Sequence, residues 1–531
     1  DVAGEVVVVD SVQVDGPAGA PALRLSGAST LAPGTPLRLE LRTASGGSSV
    51  VVAVEKNGRV AASIPLTADR WGFGGRVLPS ATYDLVAAVD GRAETAGRFE
   101  DGIQVRVGDA LLADLPRPDH RPGLRTEVQL RRPAGLQLEV RPPLDDTETG
   151  ARPQRALQDG LARRLAHPEV EPASVLLRSY YGEICGCNPL AVHQELRRLG
   201  TDHTIYWAVR DHSVVVPEGG IPVIYESAEW YRVLHQAEYY VDNMHQPLYH
   251  RKPPHQVQVQ TFHGYPFKQM GVSHWSQQQR DVAHVRSYLA RAADWDYLVS
   301  PASYGTAALC AEFGFPNEVL EIGYPRNDVL QDARAAPLRV EVRRRLGIAD
   351  HQTAVLYGPT FRDQLSRNDF VASMIDFLDV AELSRLVGPD VVVLIRGHAF
   401  NARTAERVAT SGNVVDVTDY PDIAGLCLAS DAAVLDYSSL RFDYALTGKP
   451  MIFMVPDLEI YLGRTRGSMF AFEPTAPGPF VSTTAEVAAA VADLDGVRAR
   501  FAEPYATFRR DYLDLDDGLA ARRLVERVFL R

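Results

Sequence analysis

Cysteine is scarce in this chain, four in 531 residues. That scarcity excludes a disulfide-stapled scaffold and points to a reducing, cytosolic setting. Cys185 and Cys187 form a C-x-C, but Cys310 and Cys427 stand alone, so no second pair completes a zinc set. His235, His245, His250, His255 and His274 crowd one region without the i, i+4 pairing and acidic partner of a zinc helix. They read as surface or packing residues, and the expected metal is none. No apolar run reaches the roughly 20 residues of a membrane span, and no signal peptide is present. Basic excess is missing too: 55 Lys+Arg against 67 Asp+Glu give a net charge of −12, unsuited to a general nucleic-acid binder. The basic stretches "RRPAGLQLEVR" and "RVEVRRRLG" read as solvated surface arginines. The chain opens with Asp1 and not Met, which suggests a piece of a longer protein.

What is present fits a soluble globular protein of about three domains, with 46% apolar and 23% charged residues. The first part reads as β. "EVVVVDSVQV", "PALRLSG", "PLRLELRTA", "SVVVAVEKNG", "TYDLVAAVDG" and "GIQVRVG" are short β-branched or alternating runs between turn residues. They predict an antiparallel sandwich over 1–150, a binding or spacer module without visible catalytic residues. "RPPLDDTETGARPQ" marks the boundary. Beyond it, strands such as "ASVLLRSYYG", "HTIYWAVRD", "EYYVDN" and "QVQVQTF" alternate with helices such as "NPLAVHQELRRLG". "VEVRRRLGIADHQ" reads as a connecting helix, and a second set follows: "AVLYGPTF", "DVVVLIRGHAF", "NVVDVTD", "AAVLDYSS" and "KPMIFMV". The pattern predicts an α/β fold of two doubly wound lobes, 151–340 and 341–531, with ligands outside the carboxyl ends of the strands.

The polar residues worth naming fall at those ends. Thr261, His263 and Lys268 follow "QVQVQ"; Thr360 and Arg362 follow "AVLYG"; Arg396 and His398 follow "VVVLI"; Tyr437, Ser438 and Ser439 follow "AAVLD"; Arg326 stands in "GYPRND". Imidazoles, guanidiniums and hydroxyls, without a matching carboxylate cluster for Mg²⁺, suit two adjacent phosphates bound without a metal. Backbone N–H groups at a helix start would help. Each residue also has a plainer reading. Ser438 and Ser439 serve equally as N-caps, His398 as a core histidine, and Arg326 as a turn residue. Placement at successive strand ends is what joins them into one site. His263 stands out because Gly264 beside it allows close backbone approach.

These residues resemble the CDP-glycerol glycerophosphotransferases that polymerise teichoic acids, with related capsule polymerases. That family carries Trp-His-Gly-Thr-Pro-Leu-Lys, to which "FHGYPFK" is similar, and Gly-Tyr-Pro-Arg-Asn-Asp, intact here as "GYPRND". Its Ala-Pro-Thr-Trp-Arg-Asp resembles "GPTFRD", its Arg-x-His-Pro resembles "RGHAF", and its Thr-Asp-Tyr-Ser-Ser with Phe-Asp resembles "LDYSSLRFD". "GKP", "DLEIY" and "DDG" complete a series that runs in the family's order from about residue 170 to the end. The resemblance implies a GT-B fold of two Rossmann-like lobes, acceptor on the first and CDP-activated donor on the second. It implies transfer of glycerol phosphate from CDP-glycerol, or a related CDP-polyol, to the hydroxyl end of a lipid-linked polyol-phosphate or glycan acceptor, releasing CMP. The product is a teichoic-acid-like or capsular polymer.

Carried over by position, His263 resembles the general base, a role an imidazole suits because its unperturbed pKa is about 6.5. Thr360, His398, Ser438 and Ser439 resemble pyrophosphate contacts. Arg326, Lys268, Arg362 and Arg396 are candidates for neutralising charge on the phosphoryl group or CMP, and Asp443 for holding the ribose. No cofactor and no nucleic acid are expected. Peripheral attachment at the inner face of the membrane is expected, with "RALQDGLARRLAHP" a candidate basic amphipathic helix, and a further glycosyltransferase domain upstream in the same polypeptide. Phe262, Tyr265 and Phe267 depart from the family's Trp, Thr and Leu, and Ala399 and Leu435 from its Pro and Thr. The changes beside His263 predict an altered acceptor pocket. The alternatives are a GT-B transferase of CDP-ribitol or a nucleotide sugar, and a non-catalytic wall-polymer-binding scaffold.

Overall fold

Alternating apolar residues build the first unit. A computed structural model describes residues 5–17, 19–43, 46–90, 103–131, 135–165, 169–360, 377–397, 412–462 and 467–530. In the strand Pro36–Thr43, Leu37, Leu39 and Leu41 are fully buried while their neighbours face outward, the period-2 pattern of a strand with one wet face. Two sheets share the resulting core. One runs Arg59–Pro65, Ala22–Ser29, Val6–Asp15, Gln104–Val107, and the other Arg117–Arg121, Leu124–Arg131, Gly135–Arg141, Ala81–Val89, Pro36–Thr43, Gly46–Ala53. The pairing is not wholly antiparallel as the sequence predicts, because Gln104–Val107 lies parallel to Val6–Asp15.

Next come two all-parallel sheets. In the first the order is Gly220–Ile224, Thr204–Val209, Glu171–Arg178, Ala237–Asp242, Val257–Gln260, Tyr297–Ser300, Glu318–Glu321. In the second it is Val414–Asp416, Val391–Ile395, Thr353–Gly358, Ala432–Leu435, Met451–Met454, Phe480–Val481. Helices cover both faces, so central strands are apolar throughout rather than alternating; Val175, Leu176 and Leu177 are all at 0% exposure. Each sheet reverses its winding direction beside its first strand: between Glu171–Arg178 and Ala237–Asp242, and between Thr353–Gly358 and Ala432–Leu435. Such switch points open a crevice at the strands' carboxyl ends.

The connecting helix Ala335–Leu346 forms as expected and ends on left-handed Gly347. Of its arginines Arg344 alone is exposed, paired with Glu341. Buried Arg343 donates to the carbonyls of Ala429, Ala349 and Gln352, and Arg339 to those of Leu428 and Ser430 and to Asp431. The peptide oxygens at the end of the helix Ile423–Ala429 need donors, and these guanidiniums supply them.

The α/β units are joined by a buried ion pair. Arg326 donates from Nε to Asp443 Oδ1 at 2.8 Å and from Nη2 to Oδ2 at 2.9 Å, with both side chains almost wholly out of solvent. Beside it Tyr265 stacks on Phe442, centroids 4.8 Å apart, and donates its hydroxyl to Asp516. The last helix, Ala520–Val528, falls in the sequence's third segment but packs on the helix Cys187–Arg198 of the first α/β unit. Its buried Leu524, Val525 and Val528 form an apolar stripe that needs that cover, and Asp328 accepts from the N–H groups of Ala520 and Ala521 at its start.

Two outcomes follow. Asp443→Ala strands a buried guanidinium and should cost about 3–5 kcal/mol, read as a lower urea midpoint; an unchanged midpoint would rule the clamp out. Burial pushes Asp516 up to about 7 and Asp328 to about 6. Above the unfolded aspartate value of about 3.9, the folded chain then holds protons that the unfolded chain has lost. These groups therefore make stability fall as pH rises toward 7, by up to about 1.4 kcal/mol per pH unit for each. Asp516→Asn should flatten that slope in urea titrations between about pH 5 and pH 7.5, leaving the Asp328 part below about pH 6.

Candidate functional site

At the first switch point the last residues of two adjacent strands pair, fully buried: Arg178 Nε to Asp242 Oδ2 at 3.0 Å. Asp242 also accepts from the Tyr240 hydroxyl and the Met244 N–H, while Arg178 reaches the His245 carbonyl. That rigid base carries Asn243. Its side-chain oxygen accepts from the Tyr180 N–H at 2.9 Å, and its carbonyl accepts from His263 Nδ1 at 2.9 Å. A carbonyl offers only lone pairs, so Nδ1 carries the proton and the basic lone pair of neutral His263 lies on Nε2. The Tyr180 ring lies 5.3 Å from the imidazole.

Backbone strain collects here. Tyr180, Tyr181, Cys187 and Phe262 have φ of 47°, 57°, 59° and 49°, four of the seven non-glycine left-handed residues among those described. Each costs on the order of 1–2 kcal/mol, and such strain gathers at working sites held by their surroundings. Asn188 supplies part of the hold, donating to the Phe262 carbonyl at 3.1 Å.

The second switch point is bridged by Asp436. Its carboxylate accepts from both the N–H and the hydroxyl of Thr360, and from the Ser438 N–H at 3.2 Å. The Ser438 hydroxyl accepts from Leu440 N–H, which makes Ser438 a cap as well as a candidate ligand. The helix that follows, Leu440–Ala445, has only six residues, so hydroxyls and individual N–H groups matter there more than a helix dipole. Arg441 lies fully buried behind the turn. It donates to the Ser438 carbonyl and Thr475 hydroxyl and stacks over Phe267 at 4.0 Å; burial pulls it down to about 9.

The two turns meet. A Cβ on Gly264 would lie 2.8 Å from Ser439 Oγ, so the His263 turn sits directly against the Ser438–Ser439 turn. Lys268 joins the same seam, its backbone bridged to Ser468. Arg396 Nη1 donates to the carbonyls of Val417, Thr418 and Tyr420 at 2.5–2.7 Å. Burial lowers its pKa, and Tyr180 across the crevice lies near enough for each to shift the other's ionisation.

Arg326 and Asp443 sit differently from the ligand roles assigned by sequence. The two Asp443 oxygens both accept from Arg326, whose Nη1 also donates to the His263 carbonyl at 2.7 Å and to Cys187 Sγ at 3.0 Å. Arg326 holds the His263 turn, its guanidinium donors taken by Asp443, the His263 carbonyl and Cys187. Arg362 and His398 lie outside the described residues. Tyr180, Asn243, Asn188, Asp436 and Arg441 were missed by sequence reasoning. Only Asn243 and Asp436 carried a signal, as polar residues directly after buried strands. The departures at Tyr265 and Phe267 are fully packed, and half-buried Phe262 stacks on Phe313. They therefore shape the core behind the turn and not a pocket in front of it. Among the described residues no group of three or more His, Cys, Asp or Glu could hold a metal ion.

The chain is 32% identical to the teichoic acid poly(glycerol phosphate) polymerase of Bacillus subtilis (strain 168) over 68% of its own length and 49% of that protein. It is 28% identical to the teichoic acid glycerol-phosphate transferase of Staphylococcus aureus (strain NCTC 8325 / PS 47) over 67% of this chain and 92% of that one. It thus spans about half the length of the first relative. A solved structure of the wall teichoic acid polymerase TagF, soaked with CDPG, superimposes with a TM-score of 0.63 at 26% identity, covering 70% of this chain and 92% of that one. Residues 161–530 match the family described as CDP-glycerol:poly(glycerophosphate) glycerophosphotransferase, and the chain belongs to that family.

Proposed function

We propose that the chain transfers glycerol phosphate from CDP-glycerol to the hydroxyl end of a lipid-linked wall polymer, releasing CMP. The reaction would run in a GT-B cleft between two Rossmann-like lobes, behind a β-sandwich module over 1–150. The observation that carries this reading is the meeting of the His263 turn with the Ser438–Ser439 turn at facing switch points.

His263 Nε2 takes the proton of the acceptor hydroxyl as its oxygen attacks the phosphorus that bears glycerol. The bond from that phosphorus to the CMP oxygen breaks, and CMP leaves with the electron pair. Asn243, by fixing Nδ1–H, keeps the lone pair aimed without consuming it. Thr360, Ser438, Ser439 and His398 serve the diphosphate, and Lys268, Arg362 and Arg396 the charge that moves toward CMP. Positioning and charge stabilisation are most of what a phosphoryl transfer asks of a protein. No resident cofactor enters these steps. The polymer's lipid end implies work at the inner face of the membrane; no helix among the described residues is long and apolar enough to cross one.

Acceptor-dependent CMP release from CDP-glycerol tests the reading, with CDP-ribitol as the competing donor. His263→Ala should lower turnover about 100-fold or more while CDP-glycerol binding persists; unchanged release removes His263 as the base. Gly264→Ala should lower turnover about 10-fold by turning the Ser439 hydroxyl away from the His263 turn, with the urea midpoint retained. No release from the parent with either donor would favour a polymer-binding protein.

A further inference from the structure

The β module has no part in the family match, which begins at residue 161, yet one of its hairpins reaches the donor side of the crevice. The hairpin Thr67–Ala68/Arg76–Val77 carries Arg70, Trp71 and Phe73 at its tip. Arg70 Nη1 pairs with Asp419 Oδ2 at 3.0 Å, and Nη2 donates to the Asp416 carbonyl at 2.7 Å. Trp71 Nε1 donates to the other Asp419 oxygen at 3.2 Å, and its ring meets Tyr420 edge-on at 5.5 Å. Arg345 of the connecting helix closes the joint from behind, donating to the Trp71 and Gly72 carbonyls with its guanidinium 4.2 Å from the Phe73 ring. Farther along, Ser80 N–H donates to Asp211 of the first α/β unit at 2.9 Å, so the module touches both units.

The segment it grips, 416–420, is the one that holds Arg396. Carbonyls of Val417, Thr418 and Tyr420 receive its Nη1, and the Thr418 hydroxyl accepts from Gly397 N–H. Among the described residues no carboxylate ion-pairs with Arg396. Of the acids that act on it through space, Asp419 acts most strongly, and Asp419 is the acid that Arg70 and Trp71 engage. A cation already neutralised by a neighbouring carboxylate has less to offer a phosphate.

We propose that Arg70 and Trp71 are positioning residues for the donor site: they hold the 416–420 turn and occupy Asp419, so that Arg396 presents its charge to the diphosphate of the nucleotide donor. This rests on the transfer reading for its ligand, while its geometry belongs to the β module alone.

CDP is the probe, with affinity measured by calorimetry, KM and kcat by CMP release, and backbone hydrogen exchange followed over 412–422. Arg70→Gln, and Trp71→Phe, which keeps the ring but loses the donor, should each weaken CDP binding and raise the CDP-glycerol KM about tenfold. kcat should stay within about twofold, and exchange over the turn should quicken. Adding Asp419→Asn to Arg70→Gln should restore most of the affinity while exchange stays fast, which a merely structural joint would not do. Unchanged CDP affinity in both single variants, or no recovery with Asp419→Asn, overturns the proposal. A parent that binds CDP but releases no CMP overturns the transfer reading and leaves this one to be decided by CDP affinity; a parent that binds no CDP overturns both.

Discussion

The rest of the site depends on one buried guanidinium. Arg326 spends two donors on Asp443 of the second α/β unit, one on the His263 carbonyl and one on Cys187 Sγ, and its own N–H is taken by Asn188 Oδ1. One planar group thus fixes the register between the units, the height of the His263 turn and the start of the helix Cys187–Arg198. A lysine could not, because a point charge lacks the fork that satisfies a carboxylate bidentately while a third donor reaches elsewhere. The pair is costly to bury, and its return lies in orientation more than in stability.

Four arginines around the crevice divide by what neutralises them. Arg178 and Arg326 have carboxylates, Asp242 and Asp443. Arg396 and Arg441 have carbonyls, hydroxyls and aromatic faces, and no carboxylate of the described residues ion-pairs with either. Burial lowers both of their pKa values, which is the mark of positive charge kept out of water without full compensation. On the proposed reading, a diphosphate bound near Arg396 would supply the countercharge that the protein leaves out.

The parallel sheets were legible because apolar runs buried on both faces have no other use, and strand ends are the one place where polar residues adjoin them. For that reason His263, Thr360 and Ser438–Ser439 could be named from spacing alone. The partners of those residues were not legible, since hydrogen bonds such as Asn243 to His263 or Asp436 to Thr360 join segments far apart in sequence. Arg326 and Asp443 were found as residues but given a ligand's work; each looks like a free charge until the chain between them, a separation of 117 residues, is folded. The docked hairpin at Trp71 carries no sequence signal beyond a tryptophan in a glycine-rich turn.

The aromatic departures beside His263 bear on the same point. A Tyr at 265 reaches Asp516 with its hydroxyl and Phe442 with its ring, contacts for which the threonine of the resembling motif lacks both the length and the ring. Asn327 donates to the same hydroxyl at 3.0 Å, so the turn is pinned from behind by the 325–330 turn as well as by Asp516 of the C-terminal segment. These side chains point away from the crevice. They therefore tune how firmly the imidazole is held, while the Tyr180 ring, 5.3 Å from it, packs on the imidazole itself.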